Sequence, residues 1–101
     1  MSYSSIFRPG LFDGQTIVVT GGGSGLGRCA AHEIAALGAR VVLIGLDAAK
    51  LVGTADEIAE DGGSATHAVC DIRDEETVAR TVAGIVADRG RIDGLVNNAG
   101  G

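Results

Sequence analysis

Apolar residues along this chain follow two alternating rhythms: short β-branched runs, and longer stretches with an apolar residue every three or four positions. Thr16-Ile17-Val18-Val19-Thr20 is the first run, and a compact block of this kind reads as a buried strand. The glycines of Gly21-Gly22-Gly23-Ser24-Gly25-Leu26-Gly27 let the backbone turn sharply behind it. A helical stripe of Leu26, Ala30, Ile34 and Leu37 then resumes, predicting a helix over Gly25 to Leu37 with Gly38 as a left-handed stop. Arg40 to Ile44 is the second strand, and Asp47 is placed to cap a second helix whose stripe is Leu51, Ala55 and Ile58 and which Gly62-Gly63 ends. Ala65 to Cys70 is the third strand. Asp74 caps a third helix, with Glu75 and Glu76 in the first turn where the dipole favours acids, and Val78, Val82, Ile85 and Val86 forming its stripe up to Gly90. Gly94 to Asn97 is the fourth strand. Met1 to Gly14 is a short leader, with Tyr3, Ile6, Phe7, Leu11 and Phe12 around Pro9-Gly10, expected to drape over the edge of the unit formed by residues 15–101.

Strands that alternate with helices and are themselves mostly apolar imply parallel pairing through right-handed crossovers, with helices on both faces. The expected fold is α/β: a Rossmann-type, doubly wound parallel sheet in strand order 3-2-1-4, in three α/β/α layers. In that order the winding reverses between strands 1 and 4, and a ligand belongs in the crevice there, at the carboxyl ends of the strands. The strand, glycine turn and helix aim a helix N-terminus at the same edge. Its unpaired N–H groups and positive dipole end favour an anion, commonly a pyrophosphate.

Composition narrows the picture. The 101 residues are 46% hydrophobic and 21% charged, ordinary for a domain with a real core. A net charge of -5 with a single lysine, Lys50, argues against a nucleic-acid surface. No apolar run reaches the ~20 residues of a membrane span, and Met1 to Gly14 lacks the apolar core of a signal peptide, so a cytoplasmic protein is expected. Cys29-x-x-His32 and His67-x-x-Cys70 could be read as halves of a metal site. The first pair would share a helix face, but the second lies on a strand, where odd spacing points the side chains to opposite faces. Two buried free thiols, and no metal, are expected.

Thr20-Gly21-xxx-Gly25-x-Gly27 resembles the TGxxxGxG cofactor loop of the short-chain dehydrogenase/reductases, and Asn97-Asn98-Ala99-Gly100 resembles that family's NNAG motif. The general GxGxxG fingerprint fits only as Gly25-Leu26-Gly27 with Ala30 in the last place. The resemblance runs from Gly14 to Gly101 and implies a dinucleotide cofactor held by Gly21, Gly23, Ser24, Gly25, Leu26, Gly27, Leu46, Asp71, Ile72, Asn97, Ala99 and Gly100. By the same resemblance Asp71 meets the adenine amino group; the alternative is that it begins the turn leading to Asp74. Gly45 falls where NAD-preferring relatives carry Asp, and Leu46 where many NADP-preferring relatives carry Arg. With no carboxylate at the strand tip, and with Ser24 and nearby N–H groups able to donate to a 2′-phosphate, the reading leans to NADP(H) over NAD(H). Asp47, two places past the tip, is either a ribose contact or only a helix cap. Gly10-Leu11-Phe12 ahead of Gly14-Gln15, and Gly101 after the NNAG-like run, look most like the enoyl-CoA and 2,4-dienoyl-CoA reductase branch.

The family's proton donor is a Tyr in a YxxxK motif, which follows the NNAG segment. Tyr3, the only tyrosine here, lies upstream of the first strand and has Phe7 four residues on. The chain therefore reads as the first two-fifths or so of a roughly 250-residue domain. No catalytic residue is expected among residues 1–101; the catalytic groups are expected beyond Gly101. The implied function is that of an NAD(P)-dependent oxidoreductase moving a hydride between NAD(P)H and a small apolar carbonyl, alcohol or enoyl-CoA substrate, in a full-length protein that forms a homo-oligomer. The alternative is a module that binds the dinucleotide or a partner without chemistry. Residues 1–101 produced alone should turn over no carbonyl or enoyl substrate and should self-associate through the open edge of strand 4; a monomer by light scattering with cooperative unfolding would contradict that expectation.

Overall fold

The structure, a computed structural model, describes residues 10–21, 23 and 25–97. Four strands and three helices alternate in it: β1 (Thr16–Thr20), α1 (Gly25–Ala36), β2 (Arg40–Gly45), α2 (Ala48–Glu60), β3 (Ser64–Val69), α3 (Glu75–Arg89) and β4 (Gly94–Asn97). All pairings are parallel, and the strand order is β3-β2-β1-β4, the order expected of the Rossmann-type sheet. Element bounds differ from the sequence expectation by a residue at α1, β2 and β3.

Both caps read from sequence are present. The Asp47 side chain accepts from the Lys50 N–H at 3.2 Å, and that of Asp74 accepts from the N–H groups of Glu76 and Thr77 at 3.1 and 3.3 Å. Gly90 closes α3 in a left-handed conformation, with φ +84° and its N–H on the Val86 carbonyl. Gly38, at φ +98°, turns the chain out of α1 so tightly against the preceding turn that a Cβ there would fall 1.7 Å from Asp13 Oδ1. Residues 10–14 thus pack on the rest of the fold: the Phe12 N–H donates to the Leu37 carbonyl at 2.8 Å, and its ring lies against the core.

The sheet separates two apolar layers. Ile17, Val19, Val41 and Leu43 point to one face and meet Ala31 and Ala35 of α1 and Leu51 and Ile58 of α2. Val18, Val42 and Ile44 point to the other and meet Cys70 and Ile85 of α3. Two expected stripes need correction. In α1 the buried side is Gly27, Ala31, His32 and Ala35, one step on from Leu26, Ala30 and Ile34; only Leu37 of the expected set is buried, and Leu26 is 77% exposed. Small residues win this face because they let the helix backbone approach the sheet closely. In α3 only Ile85 is buried, while Val82 and Val86 are exposed. Among the described residues one helix covers this side of the sheet and two cover the other, so the flank of α3 stays open.

The cysteine reading is corrected as well. Cys70 is buried as expected, but Cys29 is exposed, so only one of the two thiols is buried. Among the described residues no group of three His, Cys, Asp or Glu side chains is arranged to hold a metal ion, and no helix is long and apolar enough to cross a membrane.

A polar clasp joins α1 to α2. Arg28 Nε donates to Glu57 Oε1 at 2.8 Å, Arg28 Nη2 pairs with Glu57 Oε2, and His32 Nε2 lies 3.1 Å from Glu57 Oε1. The Arg28 guanidinium, with His32, holds the Glu57 carboxyl down to about 2 from an ordinary 4.5. A depressed folded-state pKa contributes stability that is complete above the unfolded value and is lost as pH falls through the folded one. Glu57→Gln should therefore flatten the stability profile between pH 4.5 and about 2 relative to the parent. Urea midpoints across that window check it, and parallel curves would contradict the clasp.

Candidate cofactor site

Register sets the geometry of the site. Thr20 lies opposite Ile44 on one side and Asn97 on the other, while Gly45 lies opposite Val69, so β1, β2, β3 and β4 end at one edge. The chain leaves that edge at four points: Gly21, Leu46, Cys70-Asp71 and Asn97. The Gly21 N–H donates to the Ile44 carbonyl at 2.8 Å, and the Cys70 N–H donates to the Gly45 carbonyl at 2.9 Å, which ties each exit to its neighbour. Thr20 Oγ1 completes the edge, within 3.1 Å of Asn97 Oδ1 and 3.3 Å of the Val96 carbonyl. Asn97 thereby bridges the ends of β1 and β4 at the crevice where the winding reverses.

The glycines after β1 have separate reasons. Gly21 and Gly25 hold φ of +68° and +59°, where a side chain is strained. A Cβ built on Gly25 meets nothing within 4 Å, so its outer side faces open space above the N-terminus of α1. At Gly23 crowding decides, since a Cβ there would come within 2.8 Å of the Lys50 Cβ on α2. Gly27 is buried on the α1 face that packs on the sheet, and Leu26 projects outward. Ser24, Ala99 and Gly100 lie outside the described residues.

The other loops bring Leu46, Asp71 and Ile72 to the same edge. Leu46 is 63% exposed just past the tip of β2. Asp71 accepts from the Arg73 N–H at 3.0 Å and, through both oxygens, from Arg73 Nε and Nη2 at 3.0 Å each. That guanidinium holds the carboxyl below the usual range. Asp71 also starts the turn that precedes α3, its carbonyl accepting from the Asp74 N–H at 3.0 Å, and the carboxylate retains lone pairs for a further donor. Ile72 packs on the core layer beneath α3 and borders an apolar groove of about 240 Å³, together with Thr20, Cys70, Leu95 and Asn97. Asp47 is exposed and is engaged as a helix cap. Two neighbours escaped the sequence reading. The proximity of Lys50 to Gly23 has no local signal, whereas the pairing of Arg73 with Asp71 was accessible from their two-residue spacing, typical of a turn in which an Asp side chain accepts from the backbone.

The family model described as short chain dehydrogenase matches residues 15–101. The chain belongs to the short-chain dehydrogenase family. Among solved members, a citronellol catabolism dehydrogenase, AtuB, of Pseudomonas aeruginosa PAO1 is 69% identical with a TM-score of 0.93, over 95% of this chain and 40% of that one. A metagenomic short-chain oxidoreductase in complex with NADP is 42% identical with a TM-score of 0.85, over 87% of this chain and 40% of the other. NAD+-bound xylitol dehydrogenase is 36% identical with a TM-score of 0.84, over 88% and 34% of the two chains. This chain thus spans well under half the length of these three relatives.

The left-handed glycine of the loop gives a direct test. Gly25→Val in the full-length protein should leave the far-ultraviolet circular dichroism nearly unchanged and weaken NADPH binding more than tenfold, because a β-branched residue at φ +59° costs about 1–3 kcal/mol and would intrude above the helix N-terminus. Unchanged affinity by fluorescence titration would contradict the loop assignment.

Proposed function

We propose that this chain is the NAD(P)-binding part of an oxidoreductase that moves a hydride between NAD(P)H and a small apolar substrate, either an alcohol and carbonyl pair or an enoyl-CoA thioester. The observation that carries this reading is the meeting, at one sheet edge, of the glycine turn and α1 N-terminus with Leu46, Asp71 and Asn97. In it, backbone groups of Gly21, Gly23, Gly25, Leu26 and Gly27, with the Ser24 hydroxyl, hold the pyrophosphate at the positive end of α1. Leu46 lies against the adenosine ribose, Asp71 and Ile72 receive the adenine, and Asn97, Ala99 and Gly100 line the remaining ribose. The open side of Gly25 fits such an approach of phosphate to backbone. When bound, the nicotinamide supplies or takes up the hydride. The residues of this chain bind and orient the dinucleotide, and none of residues 1–101 is assigned the proton transfer, so this stretch alone is inactive in the proposal. The 69% identity to a dehydrogenase of citronellol catabolism supports an apolar substrate. We further propose a leader over residues 1–14 on a cofactor-binding unit over 15–101, within a cytoplasmic homo-oligomer.

For the cofactor we propose a modest preference for NADP(H). Gly45 puts no carboxylate at the β2 tip, and the Asp47 carboxylate is turned to its cap on the Lys50 N–H. A residual repulsion from an exposed Asp47 is on the order of 1 kcal/mol, a several-fold effect. Leu46→Arg in the full-length protein should raise NADPH affinity about tenfold, through a charge-assisted contact of roughly 1.5 kcal/mol, and leave NADH nearly untouched. A parent enzyme that prefers NADH a hundredfold, or a variant in which neither affinity moves, would sink this reading.

A further inference from the structure

We infer that Lys50 is the cation that receives the adenosine 2′-phosphate, a role that in this chain passes from the tip of β2 to the first turn of α2; the inference rests on the NADP(H) reading above. Its starting point is a close approach between two turns. A Cβ on Gly23 would stand 2.8 Å from the Lys50 Cβ, 3.3 Å from the Lys50 carbonyl carbon and 3.4 Å from the Leu51 nitrogen. The turn after β1 and the first turn of α2 are therefore packed on each other, and the Lys50 side chain leaves its backbone on the side of the glycine turn.

The charges around this point leave Lys50 as the available cation. Arg28, just past Gly27, is committed to Glu57, and Arg73, in the turn between β3 and α3, is committed to Asp71. Lys50 is exposed, and among the described residues its ammonium makes no ion pair. Asp47, three residues earlier, spends its carboxylate on the Lys50 backbone N–H, so it both holds the helix turn that carries the lysine and stays turned to that turn. In the proposed binding mode the pyrophosphate lies on α1 and the adenosine ribose lies beside Leu46, at the rim of the two packed turns. A 2′-phosphate on that ribose is the dianion within reach of a flexible ammonium stem rooted at Lys50, while the ribose of NAD(H) offers it only a hydroxyl. A lysine is a point charge on a mobile stem, so it confers a graded preference where a planar arginine fork at position 46 would confer a strong one.

The test is carried out on the full-length protein by calorimetric titration with NADPH and NADH and by competition with 2′,5′-ADP and 5′-AMP. Lys50→Met should weaken NADPH and 2′,5′-ADP about tenfold, leave NADH and 5′-AMP within about twofold, and reduce the salt dependence of NADPH binding; Lys50→Arg should restore the parent affinities. Unfolding midpoints matched to the parent separate this loss from a folding defect. If the parent favours NADPH and Lys50→Met leaves the NADPH to NADH ratio unmoved, the assignment to Lys50 is overturned while the cofactor preference stands. An equal loss for all four ligands would also overturn it, since that is the mark of a displaced turn. A parent that binds 2′,5′-ADP no better than 5′-AMP removes the preference and this assignment together.

Discussion

β1 is hydrogen-bonded along both edges and buried on both faces, and the position of everything else follows from it. Its five residues are all buried, with Val19 fully enclosed, so neither its donors and acceptors nor its side chains have water to fall back on. A slip of one residue against β2 or β4 would turn each apolar side chain to the wrong layer and carry the glycine turn about 3.3 Å out of line with its neighbours. Two polar ties hold the strand at its ends. At the start, the Thr16 N–H donates to Asp93 Oδ2 and the Asp93 N–H returns a bond to the Thr16 carbonyl, both at 2.8 Å; that backbone donor keeps the Asp93 carboxyl below its usual range. At the other end the Thr20 hydroxyl meets Asn97. The strand is thus anchored to β4 where it enters the sheet and where it leaves.

The same economy of space shapes the loops. Helix α1 reaches the sheet through Gly27, Ala31 and Ala35, and the Gly23 turn reaches α2 because neither side has a larger group to hold it off. The clasp of Arg28, Glu57 and His32 then fixes the two helices relative to each other on the far side of that contact. The proposed cofactor edge takes its support from helix packing beneath it, and in the proposal its loops contribute backbone groups and only a few side chains. That division suits a family whose members share the fold and differ in which dinucleotide and which substrate they take.

Much of this was legible in the residue order because the signals are local. β-branched runs, Asp47 and Asp74 ahead of helices, and Gly38 and Gly90 behind them each act within a turn of chain, and the structure uses all of them. What escaped was decided between elements. The α1 stripe shifts by one position because close packing against a sheet favours Gly27 and Ala35 over the larger Leu26 and Ile34 beside them, a preference invisible to hydropathy alone. The α3 valines read as a core face, yet whether Val82 and Val86 are covered depends on what else lies on that side of the sheet. Cys29 was taken as buried from residue type, although its place on the helix turns it outward. At the site, the glycine loop and the β3 exit were readable as motifs, whereas the contact of Lys50 with Gly23 joins positions 27 residues apart and has no linear signature.

The outer edge of β3 carries a consequence of a different kind. Four of its six residues, Ser64, Thr66, His67 and Val69, are exposed, and Arg89 reaches from α3 to the Thr66 hydroxyl at 3.3 Å. Polar side chains on most of a strand's exposed positions make it a poorer template for another chain to zip onto than an apolar edge. β4, with Leu95 exposed and its far side unpaired among the described residues, has no such dressing. Among the described residues the sheet thus has two unlike margins: β3 carries mostly polar exposed side chains beside Val69, and β4 carries the exposed Leu95.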